Sequence, residues 1–385
     1  MTDVLVVGGG NAGLSAAVHS LELGAQVTVI ERSHPPVEST GASAVVFTTS
    51  SYNDLDVSLR VWSLDCLQRW RTEMDIPFVS TGFLRLARNS TSRDLLSEVV
   101  DTQRRFGVAD AVMLGPADLK TLIPHLDVNP RLSGSWCPSA GYSDGRAMSS
   151  SLAKFVRGHG GRITRGEVVA HHKARHHMIE LSDGATHTAD VIINAAGAWA
   201  PSVGQLLGQD IDLITEHRQL MFIKPSHGFG YAMPFVMDDL QGGGKVGVYF
   251  RQAGGDRLLA GLYTNPVGIH EKADPADFTR RIDDSFLEEV GDMIVRLLPD
   301  LRDAGLQPGY TGVDTSSPDG LPIVGPFADD PTIIACTGGT EMLTPIMGRL
   351  AAEYATGHTE HCVPHSNRLL PARFQIGSDG SRSTK

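Results

Sequence analysis

The chain has 385 residues, of which 41% are hydrophobic and 20% are charged, and these values are typical of a globular protein. The 33 lysines and arginines are outnumbered by 44 aspartates and glutamates, which gives a formal net charge of −11. This charge argues against a nucleic-acid-binding protein, which would carry a basic surface. At about 150 residues per domain, the length predicts two or three domains or one large interleaved unit.

The N-terminal part of the sequence begins with a βαβ pattern. An apolar strand at 4–7 is followed by a glycine-rich turn, a helical pattern at 11–23 and a second strand at 26–30. Such a unit predicts that a parallel sheet begins the chain. The next predicted elements are, in order, a helix at 54–74, a strand at 81–87 and a helix at 145–159.

The second half of the sequence contains strand and helix patterns in a less regular order. Short strands separated by glycine turns between 214 and 264 are typical of an antiparallel sheet. Thr344 is expected to be the N-cap of a last helix with Pro345 at its first position. The other predicted elements are strands at 189–194 and 332–335, a helix at 277–298 and a disordered polar tail at 376–385.

Targeting and membrane segments are not predicted. The first residues contain no basic segment and no small-residue cleavage site, so no signal peptide is expected. No apolar run reaches the roughly 18 residues that a membrane span needs. Scattered cysteines suit a reducing compartment, and we therefore expect a soluble, cytoplasmic protein.

A metal site is not predicted either. The four cysteines lie far apart and form no CxxC pair, which argues against a zinc site. Four clustered histidines follow the spacing of an exposed, strand-like segment, and no carboxylate or thiolate lies at ligand spacing from them. These histidines are His171, His172, His176 and His177.

The glycine-rich turn has the sequence Gly8-x-Gly10-x-x-Gly13, and Glu31 follows the second strand. In dinucleotide-binding units the first glycine forms a tight turn, the second lets the backbone approach a pyrophosphate, and the third allows close helix–sheet packing. The helix N-terminus presents its positive dipole end to the phosphates. Because Glu31 can accept hydrogen bonds from an adenosine ribose, we predict a dinucleotide site here.

Four stretches distributed along the chain form a further pattern. They are residues 6–14 with Glu31-Arg32 and Gly41-Ala42-Ser43, residues 189–199, residues 317–325, and residues 370–374. In this order they resemble the signatures of the D-amino-acid oxidase superfamily of flavoproteins. The resemblance implies FAD as the cofactor, and the sequence contains no second GxGxxG motif after a strand that would indicate a nicotinamide domain.

The resemblance implies a two-domain α/β (α+β) fold. In this fold a Rossmann-like FAD-binding domain is interleaved with an antiparallel-sheet substrate domain. The expected ranges are 1–80, 141–213 and 309–375 for the discontinuous FAD-binding domain, and 81–140 and 214–308 for the substrate domain.

The resemblance also implies which residues contact FAD. The backbone of Val168 or Val169 is expected to bind adenine. The last helix is expected to direct its N-terminus at the flavin, where its dipole favours the anionic reduced form. The other candidates are Gly8, Gly10, Asn11, Ala12, Gly13, Glu31, Arg32, Ala42, Ser43, Ala196, Gly197, Trp199, Gly338, Gly339, Thr340, Glu341, Met342 and Leu343.

The mode of flavin attachment is predicted from two positions at which some relatives carry a linking residue. Where some have a cysteine before the Pro-Asp motif, this chain has Gly312. Where others have a histidine after the Gly-x-Ser turn, it has Ala44, Val45 and Val46. We therefore expect FAD to be bound non-covalently.

The candidate catalytic residues are Tyr249, Arg251, Arg218 and Asp314. In glycine oxidase and D-amino-acid dehydrogenases a Gly-Leu-Arg segment supplies an arginine that clamps the substrate carboxylate, and Asp314 stands at that place here. This segment is more similar to that of the flavin-bearing β-subunits of heterotetrameric sarcosine oxidases. Asp314 is expected to repel a carboxylate, to attract a cationic amine or to cap a turn. For Tyr249 and Arg251 the alternative is a structural or solvent-exposed ion pair, and Glu341 could receive a cationic amine or cap a turn.

Three functions remain open at this stage. The first is an FAD-dependent oxidoreductase that oxidises a C–N bond of a secondary amine, N-methyl amino acid or imino acid by hydride transfer to flavin. The second is a D-amino-acid or glycine oxidase or dehydrogenase. The third is a flavin-bearing subunit of a multi-subunit dehydrogenase that has little activity without partner subunits. In each case a small molecule is the substrate, and oxygen or another acceptor takes the electrons.

Overall fold

The computed structural model of the chain describes residues 1–33, 38–238, 246–264 and 274–374. None of the helices in these residues combines the length and the apolar character of a membrane-spanning segment. The helices are α1 (Asn11–Glu22), α2 (Asp54–Met74), α3 (Ser90–Arg105), α4 (Pro116–Leu122), α5 (Gly145–Gly158), α6 (Ala200–Leu206), α7 (Asp284–Leu297) and α8 (Thr344–Ala355).

The strands of the described residues form two large and two small sheets. Up to the middle of the chain they are β1 (Asp3–Val7), β2 (Gln26–Glu31), β3 (Val46–Phe47), β4 (Phe83–Ala87), β5 (Val112–Leu114), β6 (Ser133–Cys137), β7 (Gly141–Tyr142), β8 (Arg162–Arg165), β9 (Val168–Lys173) and β10 (His177–Leu181). Those that follow are β11 (Thr186–Ala189), β12 (Val191–Asn194), β13 (Ile214–Lys224), β14 (Phe235–Asp238), β15 (Val246–Gln252), β16 (Leu258–Thr264), β17 (Gly305–Ser316), β18 (Ile323–Pro326) and β19 (Ile333–Thr337).

The first large sheet has six strands in the order β18-β19-β12-β1-β2-β8. β1 pairs in parallel with β2 on one side and with β12 on the other. Only the edge strand β18 is antiparallel to its neighbour. The last four residues of β1 are all buried, as an apolar strand at the centre of a parallel sheet should be. The βαβ unit that the N-terminal sequence predicts is therefore confirmed.

The second large sheet has eight strands in the order β17-β13-β16-β15-β14-β4-β6-β5. The strands between 214 and 264 are mutually antiparallel, as predicted. Alternate side chains of β15 face opposite sides of the sheet. Val248 and Phe250 pack with Val290 of α7 in one hydrophobic cluster, whereas Arg251 reaches the backbone of Ala44 on the opposite side.

The chain alternates between the two large sheets. β1 and β2 belong to the first sheet, β4 to β6 to the second, β8 and β12 to the first, β13 to β17 to the second, and β18 and β19 to the first. The small sheets are β11-β10-β9 and β3-β7. This interleaving of a mostly parallel with a mostly antiparallel sheet confirms the predicted fold class.

Helices α1 and α8 pack in close contact on the first sheet. A Cβ atom at Gly348 of α8 would lie 2.5 Å from the backbone nitrogen of Ala16 in α1. The hydroxyl of Ser15 donates to the carbonyl oxygen of Pro345 over 3.3 Å. Because the helices run side by side at this distance, Asn11 at the start of α1 contacts Glu341 just before α8.

Several predicted elements differ from the structure. The helix predicted at 277–298 begins at Asp284, because the preceding residue Asp283 has extended backbone angles. Thr344 is not the N-cap of α8: a 3-10 turn at Glu341–Leu343 places it already inside the helical spiral, and its hydroxyl donates to the carbonyl oxygen of Glu341 at 2.8 Å. The strand predicted at 189–194 is divided between the end of β11 and β12. The predicted tail at 376–385 lies outside the described residues.

Candidate functional site: a dinucleotide cradle facing the antiparallel sheet

The glycine turn connects the carboxyl end of β1 to α1. Gly8 has a φ of +109°, and a Cβ atom there would lie 2.7 Å from the backbone carbon of Ala195. A Cβ atom at Gly13 would overlap the carbonyl oxygen of Gly8. Both positions therefore require glycine, and Gly10, Asn11 and Ala12 start α1 with their backbone N–H groups at the helix N-terminus.

A cavity of about 210 Å³ opens beside this turn, at the carboxyl ends of β1, β2 and β12. Open α/β sheets bind their ligands at this edge. Val169 is 44% exposed and does not line the cavity, so only Val168 of the two adenine candidates lies there. The predicted FAD-binding residues that line it are Gly8, Gly10, Glu31, Arg32, Val168, Ala196, Gly197 and Trp199.

Two side chains shape the wall of this cavity. Oε2 of Glu31 accepts a hydrogen bond from the backbone nitrogen of Gly9 at 2.6 Å, and Oε1 accepts one from the backbone nitrogen of Ser33 at 2.7 Å. The guanidinium carbon of Arg32 lies 4.3 Å from the ring centroid of Trp199. Oε1 also accepts from the hydroxyl of Ser33 at 3.1 Å, whereas Oε2 can accept a further bond, which suits a hydroxyl group of a ribose.

Replacement of Glu31 by alanine should weaken FAD binding by about 1–3 kcal/mol, the contribution of charge-assisted hydrogen bonds to a buried ribose. Fluorescence titration of the apoprotein with FAD measures this loss. Glu167→Ala is the matched control, because Glu167 also lines the cavity but its side chain is exposed. An unchanged affinity in Glu31→Ala, or an equal loss in both variants, would show that Glu31 is not the ribose ligand.

The predicted flavin-side residues lie in two turns near the N-termini of α1 and α8. Ala42 ends a 3-10 turn at Ser39–Ala42 and is followed by Ser43. The backbone nitrogen of Asn11 donates to Oγ1 of Thr40 at 3.2 Å, and its Nδ2 donates to the carboxyl group of Glu341. Asn11 thus joins both turns to the glycine turn. The second turn, which connects β19 to α8, consists of Gly338, Gly339, Thr340, Glu341, Met342 and Leu343.

The carboxyl group of Glu341 is buried at this junction. It is hydrogen-bonded to Asn11 and to Thr40. Burial raises the pKa of Glu341 to about 7, and the negative charge of Asp314 acts in the same direction. The expectation that Glu341 receives a cationic amine is not supported, because its carboxyl group is held by residues of the dinucleotide cradle.

Tyr249 and Arg251 lie on the face of β15 that is opposite to Val248 and Phe250 and that packs against the segment around Ala44. The ring of Tyr249 stacks on Phe235 with centroids 5.6 Å apart, and burial raises the pKa of its phenol to about 12. Nε of Arg251 donates to the carbonyl oxygen of Ala44 at 2.9 Å, and Nη1 donates to its neighbour Gln252 at 2.8 Å. Burial lowers the pKa of Arg251. The alternative that Arg251 forms an ion pair is wrong within the described residues, where backbone carbonyls are its partners.

Arg218 of β13 lies between two carboxylates. Its Nη2 is 2.5 Å from Oε2 of Glu216, and its Nε is 3.8 Å from Oδ2 of Asp314. Asp314 lies within β17, whose pairing with β13 continues as far as Ser316, so the expectation that it caps a turn is wrong. Its side chain is 49% exposed. The place that the resemblance gives to a clamping arginine therefore carries a solvent-accessible carboxylate beside Arg218.

The clustered histidines lie on β9, on β10 and in the turn between them. His177 is buried, with Nδ1 2.9 Å from Nε2 of His171 and Nε2 2.8 Å from Oγ1 of Thr332. The expectation of an exposed segment is wrong for this residue, because its ring packs against the loop before β19. Burial lowers the pKa of His177 to about 4. Across the described parts of the chain, no group of three or more His, Cys, Asp or Glu side chains is placed to hold a metal ion.

Two residues of the site were missed by the sequence analysis. Thr40 lines the cavity and accepts the hydrogen bond from Asn11. The hydroxyl of Tyr310 lies 3.5 Å from the carbonyl oxygen of Ser43. Thr40 directly precedes the Gly41-Ala42-Ser43 stretch, and Tyr310 is two residues before Gly312 in one strand, so proximity to these motifs was the available signal.

A glycine turn and a carboxylate that lines a cavity at the carboxyl edge of a parallel sheet are typical of a dinucleotide-binding α/β protein, here with a second, antiparallel sheet beside the cradle. Comparison with protein-family models identifies the particular family. Residues 3–354 match the model of the DAO family, FAD dependent oxidoreductase. The chain belongs to this family, and FAD is its cofactor.

The relatives in this family include enzymes of different length. The chain is 26% identical to dimethylglycine dehydrogenase of Mus musculus in an alignment over 345 residues that covers 84% of this chain and 38% of that protein. It is 22% identical to glycine oxidase of Geobacillus kaustophilus in an alignment over 366 residues that covers 91% of this chain and 92% of that protein. The chain thus spans less than two-fifths of the dimethylglycine dehydrogenase that it matches.

The comparison with solved structures supports the same fold. L-proline dehydrogenase from P. horikoshii superposes with a TM-score of 0.86 at 20% identity, covering 97% of each chain. Glycine oxidase from Geobacillus kaustophilus superposes with a TM-score of 0.81 at 20% identity, covering 98% of this chain and 100% of the other. At these identities the likeness concerns the fold alone.

Proposed function

We propose that the protein oxidises a C–N bond of a secondary amine, an N-methyl amino acid or an imino acid to an imine, which water then hydrolyses. When bound, FAD supplies the hydride acceptor. The observation that carries the amine part of this proposal is Asp314, a half-exposed carboxylate that can attract a cationic amine at the place of a carboxylate-clamping arginine. Dimethylglycine dehydrogenase and sarcosine dehydrogenase, two relatives of the chain, are named for N-methylated substrates.

In this proposal the first sheet binds the cofactor and the second sheet positions the substrate. The N-terminus of α1 faces the phosphates, and the N-terminus of α8 faces the flavin. Glu31 binds the ribose, and the backbone of Val168 binds adenine. The second sheet excludes water and aligns the reacting carbon, which is what hydride transfer mainly requires. The proposed domains are 1–80, 141–213 and 309–375 for FAD and 81–140 and 214–308 for the substrate. Strand β17 crosses the boundary between residues 308 and 309, where the proposed substrate domain ends and the last part of the FAD-binding domain begins.

We expect FAD to be released when the protein is precipitated with acid. A Cβ atom at Gly312 would lie 2.8 Å from Cβ of Ala42, so this position has no room for a linking side chain in the present backbone. Absorbance of the supernatant measures the released flavin, and in-gel fluorescence of the denatured protein measures the flavin that remains attached. Flavin that stays with the denatured chain would contradict non-covalent binding.

Glycine and D-alanine should be poor substrates beside N-methyl amines that carry no carboxylate. The carboxylate of Asp314 repels a substrate carboxylate, and Arg218 is already shared with Glu216. Anaerobic flavin reduction with a substrate panel, followed by admission of oxygen, measures both the substrate preference and the acceptor. Asp314→Asn should shift the ratio towards substrates with a carboxylate. A kcat/KM of roughly 10⁴ M⁻¹s⁻¹ for glycine or D-alanine would instead favour a glycine or D-amino-acid oxidase.

A second candidate function is a flavin-bearing subunit of a multi-subunit dehydrogenase. It is favoured by the segment around Asp314, which resembles that of the flavin-bearing β-subunits of heterotetrameric sarcosine oxidases. Such a subunit would bind FAD and be reduced slowly by every amine in the panel. Turnover that rises on addition of the co-expressed partner subunits would support this candidate, and full turnover of the isolated chain would exclude it.

A further inference from the structure

The backbone of Val45 adopts a conformation that is costly for its side chain. Its φ is +47°, in the left-handed region that β-branched residues avoid. Val45 is 2% exposed and lies two residues after Ser43, in the stretch that follows the Ala42-Ser43 turn assigned to the flavin. A residue stays in such a conformation only when the surrounding contacts hold it there.

Three hydrogen-bond donors hold the backbone carbonyl groups of the Ser43–Val45 segment. The carbonyl oxygen of Ser43 faces the hydroxyl of Tyr310 at 3.5 Å, and that of Ala44 accepts from Nε of Arg251 at 2.9 Å. The carbonyl oxygen of Val45 accepts from the backbone nitrogen of Ser143 at 3.0 Å. Two of the three donors are side chains of the second sheet, and the bond from Arg251 is the shorter and charge-assisted one.

The side chain of Arg251 is itself held in place by its neighbours. Its guanidinium carbon lies 4.1 Å from the ring centroid of Tyr142, and Nη1 donates to the carbonyl oxygen of Gln252. The residue is 8% exposed. A guanidinium group stacked on a ring and bonded to two carbonyls has little freedom to follow a substrate.

We propose that Arg251 is a positioning residue that holds the Ser43–Val45 segment in its strained conformation against the flavin, rather than a clamp for the substrate. The proposal rests on the assignment of Ala42 and Ser43 to the flavin site. It predicts that loss of Arg251 lets Val45 relax and displaces the segment. The first effect is then on FAD binding and on the environment of the flavin.

The test is a double-mutant cycle of Arg251→Lys and Val45→Gly, because glycine adopts a positive φ without strain. Arg251→Lys should weaken FAD binding about tenfold and change the visible circular dichroism of the bound flavin, since a lysine cannot reproduce the fixed geometry of the guanidinium donor. In the Val45→Gly background the same substitution should lower FAD affinity less than about threefold. Such a coupling is expected of residues that belong to one network. Arg257→Lys is the matched control, because Arg257 lies on the same hairpin over the ring of Phe222 and is exposed.

An equal loss of affinity in both backgrounds would overturn the proposal. So would a raised KM for carboxylate-bearing substrates with unchanged FAD affinity and dichroism, which is the result expected of a substrate clamp. If Arg251→Lys does not fold, Tyr142→Leu removes the ring beneath the guanidinium and should give a smaller loss with the same rescue by Val45→Gly. Wild-type protein that binds FAD but oxidises no amine would contradict the proposed function and leave this cycle interpretable.

Discussion

Replacement of Gly348 by alanine should lower the free energy of unfolding by about 2–3 kcal/mol, which is typical of an extra methyl group in a packed core. The new Cβ atom would lie 2.5 Å from backbone atoms of Ser15 and Ala16, which cannot move away as the end of a side chain can. Alanine has a better helix propensity than glycine by about 1 kcal/mol, which acts in the opposite direction. The expected loss of stability already includes this gain. Denaturant unfolding of the apoprotein measures the difference.

The matched control for this prediction is Gly158→Ala at the end of α5. A Cβ atom there meets no heavy atom within 4 Å, so the variant should be unchanged or gain up to about 1 kcal/mol from helix propensity. Gly348→Ala should also weaken FAD binding, because separation of α8 from α1 pulls Glu341 away from Asn11. If both variants unfold at the same denaturant concentration as the wild type, the helices do not pack at the distance described.

Replacement of Glu341 by glutamine should stabilise the apoprotein at alkaline pH and leave it nearly unchanged at acidic pH. Burial raises the pKa of this carboxyl group from 4.5 to about 7. Between these values the unfolded chain has lost a proton that the folded chain retains, so the wild type loses stability as the pH rises through this window. The shift corresponds to about 3 kcal/mol above pH 7, and glutamine removes this cost while it can still accept from Asn11.

Denaturant unfolding of both proteins at about pH 5 and about pH 8 tests this prediction, with a difference between the two conditions of about 2–3 kcal/mol. Glu353→Gln is the control. Glu353 is a buried carboxylate of the same helix region, but it forms an ion pair with Arg349 at 2.7 Å, so its replacement should destabilise the protein at both pH values. A stability gain of Glu341→Gln that does not depend on pH would contradict a raised pKa of Glu341.

The dinucleotide cradle could be predicted from the sequence because its signals are local. The strand–turn–helix pattern and the spacing of Gly8, Gly10 and Gly13 arise within a few residues, and Glu31 follows in the next strand. Eight of the predicted residues therefore line the cavity, whereas Thr40 and other lining residues were not predicted. The sequence could not decide which of Val168 and Val169 lies at the cavity. The side chains of successive strand residues face opposite sides, so a shift of one residue in the predicted strand exchanges the two.

The roles of charged residues on the second sheet could not be predicted in the same way. Arg251 and Ala44 are separated by 207 positions in the sequence, and their hydrogen bond exists only because the two sheets meet. Likewise, Asp314 resembles a turn residue by type, but the pairing of β17 with β13 extends past it. Glu341 is directed at Asn11 by the packing of α8 on α1, a contact between opposite ends of the chain.

The interleaved order of the first sheet also determines when the protein can fold during its synthesis. A ribosome delivers β1 and β2 early, but the other neighbour of β1 is β12, and β19 must still pair with β12. Chains are made at about 5–20 residues per second, whereas domains fold as units once their partners are present. The apolar strand β1 therefore waits with one unpaired edge until more than half of the chain has emerged. The junction of Asn11 with Glu341 can close only after α8 has been made, so the cradle cannot be complete before this last helix has emerged from the ribosome.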